Sequence, residues 1–252
     1  MRVGLFVPCL VDQCFPETAR STRRVLERIG ARVDVPGEPV CCGQLLFKAG
    51  LWRKTVPAAK RMIRVFERFD RVVAPSGSCV HMVRRHYPTL FQEDPVWRDP
   101  SLELSRKIFE LSEFLVHQSG VEDVGAFFPG RVTYHDSCQV LRGLGVREEP
   151  RRLLARVRGL ELVEMDPPDT CCGFGGVFSF KFPDAAGALA LAKAERILAT
   201  GAGTVTGCEP SCLMNIEGVL RRAGHGVKAF HLADILAGST AGSRPQSNHG
   251  TP

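Results

Sequence analysis

The sequence predicts an α/β protein made of two tandem, pseudo-symmetric units with parallel sheets, and three observations carry that expectation. Short β-branched runs alternate with stretches of helical periodicity, the order of these segments repeats once along the chain, and one cysteine pattern occurs in both copies. Strands alternating with helices imply parallel pairing through right-handed crossovers, hence a small Rossmann-like unit per copy.

In the first copy, residues 2–7, 31–35 and 72–74 read as strands. Residues 17–29 and 55–69 space their apolar side chains three and four apart, which gives a helix one buried stripe. Val25, Leu26 and Ile29 are the expected core positions of the first of these. Residues 1–11 are apolar apart from Arg2, but Asp12 ends the run and no small-residue cleavage site follows, so a first strand is expected rather than an export signal.

The repeat keeps its order through four segments. Arg2-Val3-Gly4-Leu5-Phe6-Val7-Pro8-Cys9 aligns with Arg131-Val132-Thr133-Tyr134-His135-Asp136-Ser137-Cys138, and the run from Arg32 to Cys41-Cys42-Gly43 aligns with that from Leu162 to Cys171-Cys172-Gly173. Arg71-Val72-Val73-Ala74-Pro75-Ser76-Gly77-Ser78-Cys79 aligns with Thr204-Val205-Thr206-Gly207-Cys208-Glu209-Pro210-Ser211-Cys212. Phe109-Glu110-Leu111-Ser112-Glu113-Phe114-Leu115 aligns with Phe230-His231-Leu232-Ala233-Asp234-Ile235-Leu236, and the first copy carries extra sequence at 87–100. Two α/β stretches share strands readily, but not three cysteine positions. The expected division is therefore 1–126 and 127–237, with a hinge at Phe127-Phe128-Pro129-Gly130 and a disordered Gly/Ser/Pro-rich tail at 238–252.

A chain of 252 residues, 44% hydrophobic and 24% charged, has the composition of a globular protein that can bury a core. The net charge of +6 is spread among acidic residues without a long basic block, which argues against nucleic-acid binding. No apolar run approaches the roughly 20 residues of a membrane span, so no direct membrane insertion and a cytoplasmic location are expected. In a reducing compartment, ten cysteines point to metal or redox chemistry. Disulfide geometry is also hard to close between neighbours such as Cys41-Cys42 and Cys171-Cys172.

Sites in open α/β sheets lie beyond the carboxyl ends of the strands, where this sequence places its sulfurs. The candidate ligands are Cys9, Cys41, Cys42 and Cys79 in the first copy, and Cys138, Cys171, Cys172 and Cys212 in the second, with Cys208 a further metal candidate. Thiolates from separate loops suit a soft iron–sulfur site. Gly43 and Gly173, lacking Cβ, would let each loop take positive φ and turn N–H groups toward sulfur. Four thiolates also make a closed zinc site, although structural zinc usually draws on closely spaced cysteine pairs, which are scarce here.

A cysteine, then Cys-Cys-Gly, then a further cysteine, occurring twice, resembles the cysteine-rich CCG domain of heterodisulfide-reductase-like iron–sulfur proteins. The segments 75–79, Asp169-Thr170-Cys171-Cys172-Gly173-Phe174-Gly175-Gly176 and Ser211-Cys212-Leu213-Met214-Asn215-Ile216 resemble the lactate-utilisation branch of that family, and the likeness covers about residues 1–237. The resemblance implies a CCG-domain duplication that serves as an iron–sulfur electron-transfer subunit of a multiprotein L-lactate oxidation system. It also implies two partners, a ferredoxin-like iron–sulfur subunit and a third lactate-utilisation protein.

Alternatives of the same chemistry are a subunit of a glycolate oxidase-like or heterodisulfide-reductase-like complex, and of another class, a zinc-stabilised scaffold. The family's full motif ends in two cysteines separated by two residues. This chain has Ser76 before Cys79, and it has Cys208 separated from Cys212 by three residues, so ordinary four-cysteine 4Fe-4S clusters, up to two, are expected.

Among the remaining candidates, His135 and Asp136 either tune a cluster or cap a loop, and Phe6 and Val7 hold their places in the first copy. His81 and His86 are expected to face solvent, and Cys14 to be structural. The Gly173–Gly176 run lacks the Lys-Ser/Thr of a phosphate loop.

Overall fold

The computed structural model describes residues 2–238, and eight strands within them form two four-stranded sheets. The first sheet contains β1 (Arg2–Leu5), β2 (Arg32–Asp34), β3 (Arg71–Ala74) and β4 (Ile108–Glu110) in the order β2-β1-β3-β4. The second contains β5 (Phe127–Tyr134), β6 (Arg158–Leu162), β7 (Thr204–Gly207) and β8 (Lys228–His231) in the order β6-β5-β7-β8. Every pairing is parallel. This is the duplicated α/β architecture that strand–helix alternation implied.

The elements follow the sequence pattern closely. The expected helix at 17–29 is Pro16–Arg28, where Pro16 starts the helix without losing a needed N–H and Val25 and Leu26 are wholly buried. Ile29 lies just past its end and is only partly buried against the core. The expected helix at 55–69 is Trp52–Phe66, with Thr55, Ala59, Met62, Ile63 and Phe66 inward. Its counterpart, Pro183–Ala199, buries Ala186, Ala190, Lys193, Ala194 and Ile197, the same positions at one constant offset.

The hinge expected at Phe127–Gly130 is instead the beginning of β5. Phe127 pairs with Arg158 and Gly130 with Leu160 across a register shift, so Pro129 sits in a bulge where its missing N–H breaks no ladder bond. Gly238, the first residue of the expected tail, accepts a hydrogen bond from the Phe127 N–H at 3.1 Å, and the rest of that tail lies outside the described residues.

The two units share one core. Val3, Leu5, Val25, Leu26, Val73 and Leu111 from the first join Val132, Tyr134, Val140, Leu232, Ile235 and Leu236 from the second. Each such aliphatic side chain, fully removed from water, contributes roughly 1.5–3 kcal/mol. Polar ties fix the angle: Thr18 Oγ1 donates to Asp234 at 2.9 Å, and Arg28 donates to the carbonyls of Val124, Leu236 and Ala237 at 3.0–3.1 Å. No helix among the described residues is long and apolar enough to cross a membrane.

Candidate metal centre

In each sheet the chain leaves the first strand toward one edge and enters the third on its other side, so a crevice opens beyond the carboxyl ends of these central strands. Cys9 lies just past β1 and Cys79 just past β3, and Cys138 and Cys212 repeat this after β5 and β7. The Cys-Cys-Gly loops bring in the remaining sulfurs.

In the first unit Cys41 Sγ is 3.8 Å from Cys9 Sγ, and Cys42 Sγ is 3.3 Å from Cys79 Sγ. Gly43, at φ 77°, turns its N–H onto Cys41 Sγ at 3.4 Å, and Gly173, at φ 80°, does the same to Cys171 at 3.4 Å. A Cβ at Gly43 would lie 2.8 Å from Thr55 Cγ2, whereas one at Gly173 would drive into the Ala186 carbonyl and stand 2.9 Å from Ala190 N. Both loops thus require glycine for conformation and for space.

These sulfurs lie close enough to perturb one another's ionisation. Hydrogen bonds from Cys42 and Cys9 hold the Cys41 thiol far below its ordinary range, while Cys9 and Cys42 are pushed up by their bonds to Cys41 and by burial. A thiolate at Cys41 is favoured at its neighbours' expense, because like charges this close oppose one another's ionisation. In the second unit burial and then Cys171 raise Cys138, and a bond to Cys172 followed by burial raises Cys171. Cys172 and Cys212 place their sulfurs, together with one His135 ring nitrogen, all within 4.8 Å of one another. Clustered soft donors from distant loops, with backbone N–H groups aimed at sulfur, fit a metal or iron–sulfur group.

Beneath the second pocket His135 is buried with neither ring nitrogen hydrogen-bonded, and burial and then the Lys193 charge hold its pKa down to about 3. Asp136 accepts two hydrogen bonds from Arg151, at 3.0 and 2.7 Å. Lys193 is wholly buried, donating to Pro168 O at 2.8 Å and Met165 Sδ at 3.1 Å, and burial lowers its pKa to about 8.

Other expectations fare differently. Cys208 points into the shared core, where Tyr134 donates to its sulfur at 3.3 Å and Ser112 lies 3.9 Å away. Cys14 is exposed at the end of the helix Cys9–Cys14, so it has no packing role. His81 does not simply face solvent: it packs against Gly143 of the second unit, stands edge-on to His86 at 5.1 Å, and is partly buried.

Sequence reasoning missed the residues that join the pockets. Gln44, next to Gly43, donates to Ser78 O at 2.7 Å and to Gln139, next to Cys138, at 2.8 Å. Glu209 accepts from Ser76, Ser78 and Ser211, so one carboxylate holds the starts of both helices that carry Cys79 and Cys212. The only available signal was that each of these residues adjoins a candidate cysteine or its loop.

A profile of the cysteine-rich (CCG) domain matches residues 3–84 and 132–217, one match per unit. Lactate utilization protein A of Bacillus subtilis is 44% identical over 236 residues, covering 94% of this chain and 99% of its own. The chain belongs to the lactate utilization protein A family. The family members from Exiguobacterium sp. and Oceanobacillus iheyensis are 45% and 42% identical over 236 residues, covering 93% and 94% of this chain and 96% of each relative. In this member of the lactate utilization protein A family, each CCG match spans the cysteine loops and residues from three of its sheet's four strands, and leaves out the fourth, β4 or β8.

Proposed function

We propose that the chain is an iron–sulfur electron-transfer subunit of a multiprotein system that oxidises L-lactate. The observation that carries this reading is that sulfurs from separate loops meet in both units, Cys9 with Cys41 and Cys42 with Cys79 in the first and Cys172 with Cys212 in the second, while a glycine N–H points at Cys41 and at Cys171. The family name supplies the lactate link.

Cys9, Cys41, Cys42 and Cys79 would hold one 4Fe-4S cluster, and Cys138, Cys171, Cys172 and Cys212 a second. A bound cluster supplies one-electron redox chemistry. Oxidation of lactate to pyruvate releases two electrons and two protons, and two one-electron carriers in a single chain match that count. The chain's own residues orient the thiolates, exclude water from Cys42, Cys79, Cys172 and Cys212, and join the pockets through Gln44 and Gln139. Cys208, bonded to Tyr134, is left out of both ligand sets.

Exposed apolar side chains flank both Cys-Cys-Gly loops: Leu45, Leu46 and Trp52 follow the first, Phe180 and Phe182 the second. Lys48, Arg53 and Lys54 lie among the first group. This rim suits an electron-carrying partner with an acidic face, and a ferredoxin-like iron–sulfur subunit is the partner assigned to it. A third lactate-utilisation protein would complete the system.

The test is anaerobic reconstitution of the chain with partners of those two classes from the same organism. L-lactate should bleach the chain's visible absorption only when both partners are present. Unchanged absorption in the complete mixture, with pyruvate still formed, would remove the chain from the electron path.

A further inference from the structure

The two pockets share a cysteine pattern but not a back wall. Phe6 and His135 occupy the same place, each following the first strand of its sheet and each donating its backbone N–H to the third strand, Phe6 to Val73 O at 2.9 Å and His135 to Thr206 O at 2.8 Å. On the helix behind, Met62 and Lys193 coincide in the shared register of buried positions. Phe6 meets Phe66 edge-on at 5.7 Å inside an apolar cluster that includes Met62. The first pocket therefore rests on hydrocarbon, and the second on an imidazole and an ammonium.

His135 is 1% exposed, and both its ring nitrogens are without a hydrogen-bond partner. Burying a polar atom without a partner forfeits its bond to water, and an imidazole carries two such atoms. A phenylalanine fits the corresponding site at no such cost, so packing alone does not explain the histidine. One ring nitrogen lies within 4.8 Å of both Cys172 Sγ and Cys212 Sγ, which are also within that distance of each other. A single ion placed among the three would satisfy the histidine and both sulfurs at once.

We propose that His135 is a ligand of the group held in the second pocket, so that the chain carries two unlike centres, one bound by thiolates alone and one by thiolates and an imidazole. This rests on the reading of the pockets as iron–sulfur sites and changes one ligand of the second: His135 takes the place of one of the two outer cysteines, Cys138 or Cys171, while Cys172 and Cys212 stay. A neutral imidazole in place of a thiolate makes a centre one charge less negative and easier to reduce. The second centre is therefore the more positive in potential.

The experiment uses the full chain, purified anaerobically, reduced, and labelled with 15N-histidine. Pulsed EPR should show a directly bound 15N nucleus in one of two iron–sulfur signals. That coupling should survive in C42A, which damages the first pocket, and vanish in H135F, which copies the first pocket's residue. Redox titration should find the 15N-coupled centre at the higher potential. Iron and sulfide in both pockets with no bound histidine nitrogen would overturn the proposal, as would a coupling that persists in H135F.

The label on wild-type protein decides the matter even if H135F fails to fold. If the chain instead holds zinc without sulfide, the iron–sulfur reading fails by itself. X-ray absorption at the zinc edge then tests His135 separately: a nitrogen in the zinc shell supports its ligand role, and an all-sulfur shell rejects it.

Discussion

Glu209 of the second unit accepts a hydrogen bond from the Ser76 hydroxyl of the first at 3.0 Å, and the same carboxylate oxygen accepts the Ser78 N–H at 2.8 Å. Gly77 N–H adds a bond to Cys208 O at 3.2 Å, so the loop that presents Cys79 is held by the other unit. Replacing Glu209 by alanine would leave the buried Ser78 N–H unpaired, at about 1–3 kcal/mol, and the Ser76 hydroxyl with only Ser78 Oγ, at 3.4 Å. E209A should lower Tm by roughly 3–10 °C and reduce metal in the first pocket. Unchanged Tm and metal content in that variant would show that the carboxylate is not a tie.

The Gln44–Gln139 bond at 2.8 Å joins residues adjacent to Gly43 and Cys138. Two reduced centres so close should interact magnetically. The EPR spectrum of the fully reduced protein is expected to be broadened, and C172A, by emptying the second pocket, should sharpen what remains. Two sharp, independent signals in the wild type would contradict this arrangement.

The two motif glycines should not tolerate alanine equally. At Gly173 the new methyl meets backbone atoms of the helix Pro183–Ala199, whereas at Gly43 it meets a side-chain methyl of Thr55. Positive φ alone costs a non-glycine residue about 1–2 kcal/mol. G173A should lose about half of the protein's bound metal, and G43A should lose less; metal analysis of the two variants in parallel checks the order.

Glu110 is buried at the end of β4 with Oε1 unpartnered, and Oε2 takes hydrogen bonds from Ser112. Burial raises its pKa from 4.5 to about 7, with the Glu113 charge adding to the rise and the Ser112 and Cys208 bonds opposing it. Between those values the folded chain binds more protons than the unfolded one, so this group's contribution to stability falls as pH rises from about 4.5 to about 7. His135 and His231, whose pKa values are lowered by burial, act in the opposite sense, so the comparison must be with E110Q. The stability of E110Q relative to wild type should increase by on the order of 2–3 kcal/mol between pH 5 and pH 8. A pH-independent difference in denaturant midpoints would show that Glu110 does not titrate in that range.

Much of the fold is legible in the sequence because periodicity reports burial directly. The stripe Val25, Leu26 and the inward row of the helix Trp52–Phe66 are visible before any coordinates. The candidate cysteines are legible because duplication marks the same positions twice. The strand start at Phe127 is not, because Pro129 and Gly130 read as a turn and only the pairing partner β6 turns them into a bulge. Glu209 and Gln44 are not legible either, since their partners lie 133 and 95 residues away, and local pattern carries no trace of a contact between units. Lys193 is a special case: read by itself, a lysine on a helix suggests solvent, and only the repeat register sets it against buried Met62.

The most direct test of the account is the iron, acid-labile sulfide and zinc content of the full chain purified without oxygen, measured together with its visible spectrum. Two four-iron clusters predict brown protein with roughly eight iron and eight sulfide per chain, and colour that fades on reduction. Colourless protein containing zinc and no sulfide would contradict the central claim.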